Sequence, residues 1–222
     1  MRHAIGYALL GAALCRHLRR EVRFTQECAE AAISLATDQG FPYWMAIGAL
    51  VRGWALAHQG QAQEGITHIT QGLTAWRVTG AEILRPWFLS LLAEAHGTMG
   101  QPEAGLTVLA EALTLTDTTG ERWYKPELYR LKGVLLLQQH SDNQAEAENC
   151  FHHSLEIARN QQAKSLELRA ATSMARLWQQ QGKRQEAHDL LAPIYGWFTE
   201  GFDTADLIEA KALLDELERG RE

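Results

Sequence analysis

Residues 86–120 read PWFLSLLAEAHGTMGQPEAGLTVLAEALTLTDTTG, and this stretch indicates two consecutive α-helices. Pro86 suits the first turn of a helix, because the N–H that it lacks has no intrahelical partner there. Apolar side chains then follow at helical spacing, namely Phe88, Leu91, Leu92, Ala95 and Met99. The run 100–102 breaks this helix, and a second helix ends at Gly120, which can adopt the left-handed conformation. The stretch therefore predicts a helix hairpin.

The hairpin pattern recurs along the chain with a period of forty residues. Two columns of small residues show the period: Gly40, Gly80 and Gly120, and then Gly53, Ala93 and Gly133. Because Gly costs about 1 kcal/mol relative to Ala inside a helix, its recurrence at one register indicates that neighbouring helices approach closely. The predicted units span 4–40, 42–80, 86–120, 126–163 and 165–201.

A repeat of paired helices predicts an all-α fold, a right-handed superhelical α-solenoid of about five hairpins. We expect one helical-repeat domain over residues 1–222. A C-terminal capping helix is predicted over 204–218, because one of its faces is apolar and the remainder is largely charged. The apolar face consists of Leu207, Ala210, Leu214 and Leu217.

The order in which small residues, turn glycines and large apolar residues occur along the repeat resembles that of the tetratricopeptide repeat (TPR). The matching residues are, in order, Gly53, Gly60, Gly65, Ile69, Gly72 and Leu73. The period of forty departs from the usual length of about 34, which implies longer helices or connections. The resemblance implies a surface, lined by the first helices of the hairpins, that binds a protein or a peptide.

Several stretches resemble the C-terminal repeat region of bacterial adenylate/guanylate cyclases that are fused to an ATPase module. They are residues 39–44, 52–57, 120–124 and 197–204. This resemblance implies a regulatory or sensor arm, with cyclase and ATPase domains covalently linked in a longer parent chain of which this sequence is a fragment. The catalytic activities of those domains are not implied, because the resemblance covers the repeat region alone.

The composition narrows the class of partner. The 27 acidic and 21 basic residues give a formal charge of −6, which argues against a nucleic-acid binder, since a polyanion requires a dense basic face. The three cysteines lie far apart and indicate a reducing, cytoplasmic location. The apolar run after the N-terminus is too short to cross a bilayer, so no membrane partner is expected.

Enzymatic motifs are missing from the sequence. Neither a G-x-x-x-x-G-K-[ST] phosphate loop nor a G-x-S-x-G elbow occurs. Cys150, His152 and His153 could begin a metal site, but a helix would direct His152 away from the other two. We therefore expect no catalytic residue, no metal and no cofactor.

The binding residues implied by the family resemblance flank the small-residue column on the first helices. They are Leu50, Trp54, His58, Ser90, Glu94, Arg130, Thr172 and Arg176. Trp54 would be the apolar anchor for a peptide in the concave groove, and its replacement by Ala would weaken binding by more than about 1 kcal/mol. Arg130 and Arg176 would pair with acidic groups of the partner, and Glu94 with a basic group.

These observations favour a non-catalytic protein- or peptide-binding module in a bacterial signalling protein. Two other classes remain open at this stage. The chain could be a structural spacer or a self-association module, or its helices could bind a small ligand or nucleic acid.

Overall fold

The computed structural model describes residues 2–219, which form α-helices joined by short turns, with no β-strand in that range. The helices are α1 (Arg2–Leu18), α2 (Val22–Gln39), α3 (Pro42–His58), α4 (Ala62–Val78), α5 (Arg85–Thr98), α6 (Pro102–Thr119), α7 (Lys125–Gln139), α8 (Gln144–Asn160), α9 (Lys164–Gln180), α10 (Arg184–Tyr195) and α11 (Ala205–Arg219). A short 3-10 helix, Ser141–Asn143, precedes α8. The prediction of an all-helical fold is confirmed.

The chain divides into two compact units, the first ending at Glu121 and the second beginning at Arg122. Unit 1 contains α1–α6 and unit 2 contains α7–α11. In unit 1 the pairs α1–α2, α3–α4 and α5–α6 pack as hairpins, and α3 also contacts α1 and α5. In unit 2 the pairs α7–α8 and α9–α10 do the same, and α9 also contacts α7 and α11. The single domain expected over 1–222 remains a prediction.

Proline and glycine mark the helix ends in the way that their backbone preferences require. A proline occupies the first or second position of four helices, at Pro42, Pro86, Pro102 and Pro126. Gly120 follows α6 with a φ of 76°, in the left-handed region that residues with a Cβ rarely adopt. Local chemistry therefore fixes where these helices begin and end.

The hairpin α3–α4 is closed by the direct approach of Gly53 to Gly65. A Cβ on Gly53 would lie 2.7 Å from the carbonyl oxygen of Gly65 and 2.7 Å from Cγ1 of Ile69. A Cβ on Gly65 would lie 2.5 Å from the carbonyl oxygen of Gly53. All three distances are shorter than real Cβ contacts, so the two backbones can be this close only because neither residue has a side chain.

The capping helix α11 packs against α9 and α10. The four residues of its predicted apolar face are buried, and Leu213 joins them with 4% of its surface exposed. Ile208 lies outside this face and is 55% exposed. Within residues 2–219 no helix combines the length and the apolar character that crossing a bilayer requires.

Replacing Gly53 with Ala is expected to lower the free energy of unfolding by about 1–2 kcal/mol. The overpacking penalty against Gly65 exceeds the gain in helix propensity. The matched control is Gly11→Ala in α1, because a Cβ there would have no heavy atom within 4 Å. That change should stabilise the protein by up to about 1 kcal/mol. Urea denaturation of both variants measures the difference, and a Gly53→Ala protein as stable as the parent would refute the close approach.

Candidate functional site

The predicted groove residues are divided between the two units. Leu50, Trp54, His58, Ser90 and Glu94 lie in unit 1, and Arg130, Thr172 and Arg176 lie in unit 2. Half of them are buried: Leu50, Trp54, Ser90 and Thr172. A role for these eight residues in binding a partner remains a prediction.

In unit 1, Trp54 belongs to an aromatic cluster made of His17, Trp54, His58 and Trp87, in which His58 is exposed and the other three are buried. Trp54 is 2% exposed, and its indole contacts His17 edge-on at a centroid distance of 4.4 Å. His58 lies 4.3 Å from the same indole, and His17 lies 5.3 Å from Trp87. The end of α1 thus contributes His17 to an aromatic contact with α3 and α5. The indole of Trp54 is part of the interior of unit 1 and not an anchor presented to solvent.

Glu94 joins this aromatic cluster through polar contacts. Nε1 of Trp54 donates a hydrogen bond to Oε2 of Glu94 at 2.5 Å, and Nε2 of His58 lies 3.7 Å from the same oxygen. The structure therefore brings together three of the five predicted residues of unit 1. Because Glu94 already accepts a hydrogen bond within the fold, a basic partner would have to compete for its carboxylate.

In unit 2 the predicted residue Arg130 belongs to an ion-pair network with Glu127, Arg169 and Asp206. Arg130 binds the Glu127 carboxylate with both Nε and Nη2, at 3.0 and 2.7 Å. Nη1 of Arg169 lies 3.5 Å from Oε1 of Glu127, and its Nε donates to Oδ2 of Asp206 at 2.8 Å. The ion-pair network therefore connects α7, α9 and α11.

The members of the ion-pair network are shielded from water. Only 1% of the Glu127 side chain and 9% of the Arg169 side chain are exposed. Burial alone would lower the pKa of Arg169, but the carboxylates of Glu127 and Asp206 raise that pKa above its usual value. Arg130 is held internally by Glu127, three residues before it on the same helix. The expected contact of Arg130 with an external acid would therefore compete with a strong internal one.

Arg176 is the most exposed of the three predicted residues in unit 2. Half of its side-chain surface is exposed, and its Nη2 lies 3.5 Å from Oε2 of Glu209 on α11. It borders a cleft of about 300 Å³ that we call the α9–α11 cleft. The cleft is lined by Arg176, Gln179, Gln180, Ile208, Glu209, Ala212, Leu213 and Glu216. Arg176 was predicted from its place beside the small-residue column, whereas the residues of α11 carry no such signal, because their pattern is that of a capping helix.

Cys150, His152 and His153, which could begin a metal site, do not line the α9–α11 cleft. Cys150 is buried, and desolvation raises the pKa of its thiol, which disfavours the thiolate that would bind a metal. The ring of His153 lies 5.5 Å from Tyr129, and that of His152 lies 6.3 Å from Trp178. Among the side chains that the structure describes, no group of three His, Cys, Asp or Glu is placed to hold a metal ion.

Among curated proteins, an uncharacterised protein of Rhizobium meliloti (strain 1021) is 31% identical to this chain over 128 residues. The match covers 58% of this chain and 12% of that protein, so the chain corresponds to a small part of a much longer relative. No protein-family model matches the sequence.

Solved structures with a similar fold cover nearly the whole chain. A kinesin light chain of Podosopora anserina with nearly identical TPR-like repeats is 16% identical, with a TM-score of 0.58 and 96% of each chain covered. Rap protein in complex with competence and sporulation factor is 10% identical, with a TM-score of 0.66 over 99% of this chain and 65% of its own. NprR in complex with its cognate peptide NprX is 16% identical, with a TM-score of 0.64 over 98% of this chain and 64% of its own. These matches confirm the predicted TPR-like solenoid fold.

Replacing Trp54 with Ala is expected to lower the free energy of unfolding by about 3–5 kcal/mol, because a fully buried indole leaves a cavity. Thermal and urea unfolding followed by circular dichroism measure the loss. The matched control is Trp197→Ala, because the side chain of Trp197 is 59% exposed. This substitution should change the free energy of unfolding by less than about 1 kcal/mol. Equal effects of the two substitutions would show that Trp54 is not buried in solution.

Replacing Arg169 with Met should destabilise the protein by about 3 kcal/mol, because the buried Glu127 carboxylate loses the guanidinium of Arg169. The same substitution at Arg176, which is half exposed, should cost less than about 1 kcal/mol. Denaturant unfolding of the two variants side by side tests this difference. An Arg169→Met protein that is as stable as Arg176→Met would contradict a structural role for the ion-pair network.

Proposed function

We propose that this chain is a non-catalytic module that binds a protein or a peptide through the faces of its first helices. The observation that carries the proposal is the α9–α11 cleft, an open feature between the first helix of the α9–α10 hairpin and the capping helix α11. Two proteins of similar fold support it, since NprR was solved with its cognate peptide and Rap with competence and sporulation factor.

The packing of unit 2 gives this function a physical basis. The ion-pair network fixes α7, α9 and α11 to one another through side chains that are largely removed from water. A surface whose backbone is already ordered loses little conformational entropy when a ligand binds. Binding energy is then available for contacts with the ligand and is not consumed in ordering the helices.

The wider role that we propose is a regulatory or sensor arm in a bacterial signalling protein, cytoplasmic and covalently linked to cyclase and ATPase domains. The resemblance of residues 197–204 and the three other stretches supports this role. The length of the Rhizobium relative is compatible with it, because the matched region is 12% of that protein and leaves room for further domains. Reading the complete coding sequence around this segment for a cyclase or ATPase domain tests the proposal.

Selection from a random-peptide library on the immobilised chain should enrich peptides that bind in solution with micromolar dissociation constants, about −8 kcal/mol. Isothermal titration of the synthesised peptides measures the affinity and the stoichiometry, with selection on an uncoated support as the control. If no peptide is enriched over that control and sedimentation shows concentration-dependent oligomers, the chain is a self-association module and the proposal is wrong. A salt-dependent shift with single-stranded nucleic acid would replace it with nucleic-acid binding.

A further inference from the structure

The α9–α11 cleft is lined by both apolar and polar side chains. Ile208 and Ala212 contribute exposed aliphatic surface from α11, where Ile208 is 55% exposed, and Leu213 is buried beside them. Arg176 and Gln179 line the cleft from α9. An isoleucine that borders a cleft and is more than half exposed is a surface that an apolar side chain of a partner would cover.

The size of the cleft restricts what can occupy it. A volume of about 300 Å³ is at the lower limit of pockets that enclose a whole small ligand. Its α11 wall runs from Ile208 to Glu216, a rise of about 12 Å along the helix axis. This length corresponds to about two turns of an opposing helix, so the cleft fits one or two side chains of a helical segment better than a free small molecule.

The charges at the cleft favour a basic segment. Arg176 is already partly neutralised by Glu209 at 3.5 Å. Glu216, at the other end of the α11 wall, is exposed. Its carboxylate accepts a hydrogen bond from the amide of Gln179 at 3.3 Å, and Nη2 of Arg184 donates to its backbone carbonyl oxygen. The chain as a whole carries a formal charge of −6, which attracts cationic partners at long range.

We propose that the α9–α11 cleft binds an amphipathic helix of a partner protein, in which a leucine-like side chain is flanked by lysine or arginine. This proposal rests on the function proposed above and names the location and the chemistry of the ligand. The apolar side chain covers Ile208 and Ala212, both of which are exposed, and the flanking cation approaches Glu216. In unit 1, by contrast, the aromatic cluster fills the space around Trp54 with the protein's own side chains.

Two synthetic peptides test the proposal with the full chain. One is a 14-residue amphipathic helix with a leucine stripe flanked by lysines, and the other has glutamate at every lysine position. Fluorescence anisotropy should show that the lysine peptide binds about tenfold or more tightly than the glutamate peptide. Equal binding of the two peptides would contradict the predicted preference for basic segments.

Variants of the chain locate the binding surface. Ile208→Asn should weaken the lysine peptide about tenfold, whereas Ile83→Asn should leave the affinity unchanged. Ile83 is the matched control, because it is an isoleucine of similar exposure, 60%, in unit 1. Glu216→Lys should weaken the lysine peptide and strengthen the glutamate peptide, each by about tenfold. Thermal unfolding of the three variants verifies that they remain folded.

The outcomes separate this proposal from the function proposed above. If library-selected peptides bind but Ile208→Asn and Glu216→Lys leave the lysine peptide unaffected, the cleft is not the site and the peptide-binding function stands. If neither the synthetic nor the library-selected peptides bind, both proposals fail. Loss of lysine-peptide binding in Ile208→Asn, with full binding in Ile83→Asn, supports the cleft.

Discussion

The approach of α3 to α4 at Gly53 and Gly65 is the constraint on which the architecture of unit 1 depends. The backbones meet at a distance that leaves no room for a Cβ on either glycine. The same register holds Gly133 in unit 2, where a Cβ would lie 2.5 Å from the Phe151 ring. Small residues on the first helix of a pair therefore set how closely the second helix packs. This spacing in turn determines which side chains lie between helices and which face solvent.

Within each unit, the first helices of successive hairpins contact one another, and the kind of interaction differs between the units. Unit 1 uses aromatic rings, and Trp54 contacts His17 and His58 with little exposed surface. Unit 2 uses charges, and Arg169 joins Glu127 and Asp206. In unit 1 the aromatic side chains already contact one another, so they are less accessible to a partner. Ion pairs between side chains hold α7, α9 and α11 together but leave the α9–α11 cleft open.

Local signals in the sequence predicted most of the fold. The surroundings of the predicted site residues depended instead on contacts that do not recur with the forty-residue repeat. Proline at the first turns and glycine after Thr119 marked helix ends, because both residues act on the backbone directly. The burial of Trp54 could not be predicted, since it requires His17 from the end of α1, outside the repeat columns. The pairing of Arg130 with Glu127 was visible in principle, because residues three apart on a helix are neighbours. This pairing makes Arg130 less available to a partner than its position on the first helix suggests.

The size of the α9–α11 cleft has a consequence for affinity. Stable complexes bury about 800 Å² on each partner, whereas a cleft of about 300 Å³ holds only one or two side chains. Burying one leucine-sized side chain contributes about 1.5–3 kcal/mol, less than the free-energy cost of bringing two molecules together. A bound segment must therefore extend beyond the cleft onto the surface around it. Specificity then comes from the cleft, because its lining combines exposed apolar side chains with charged ones, and most of the affinity comes from the surface around it.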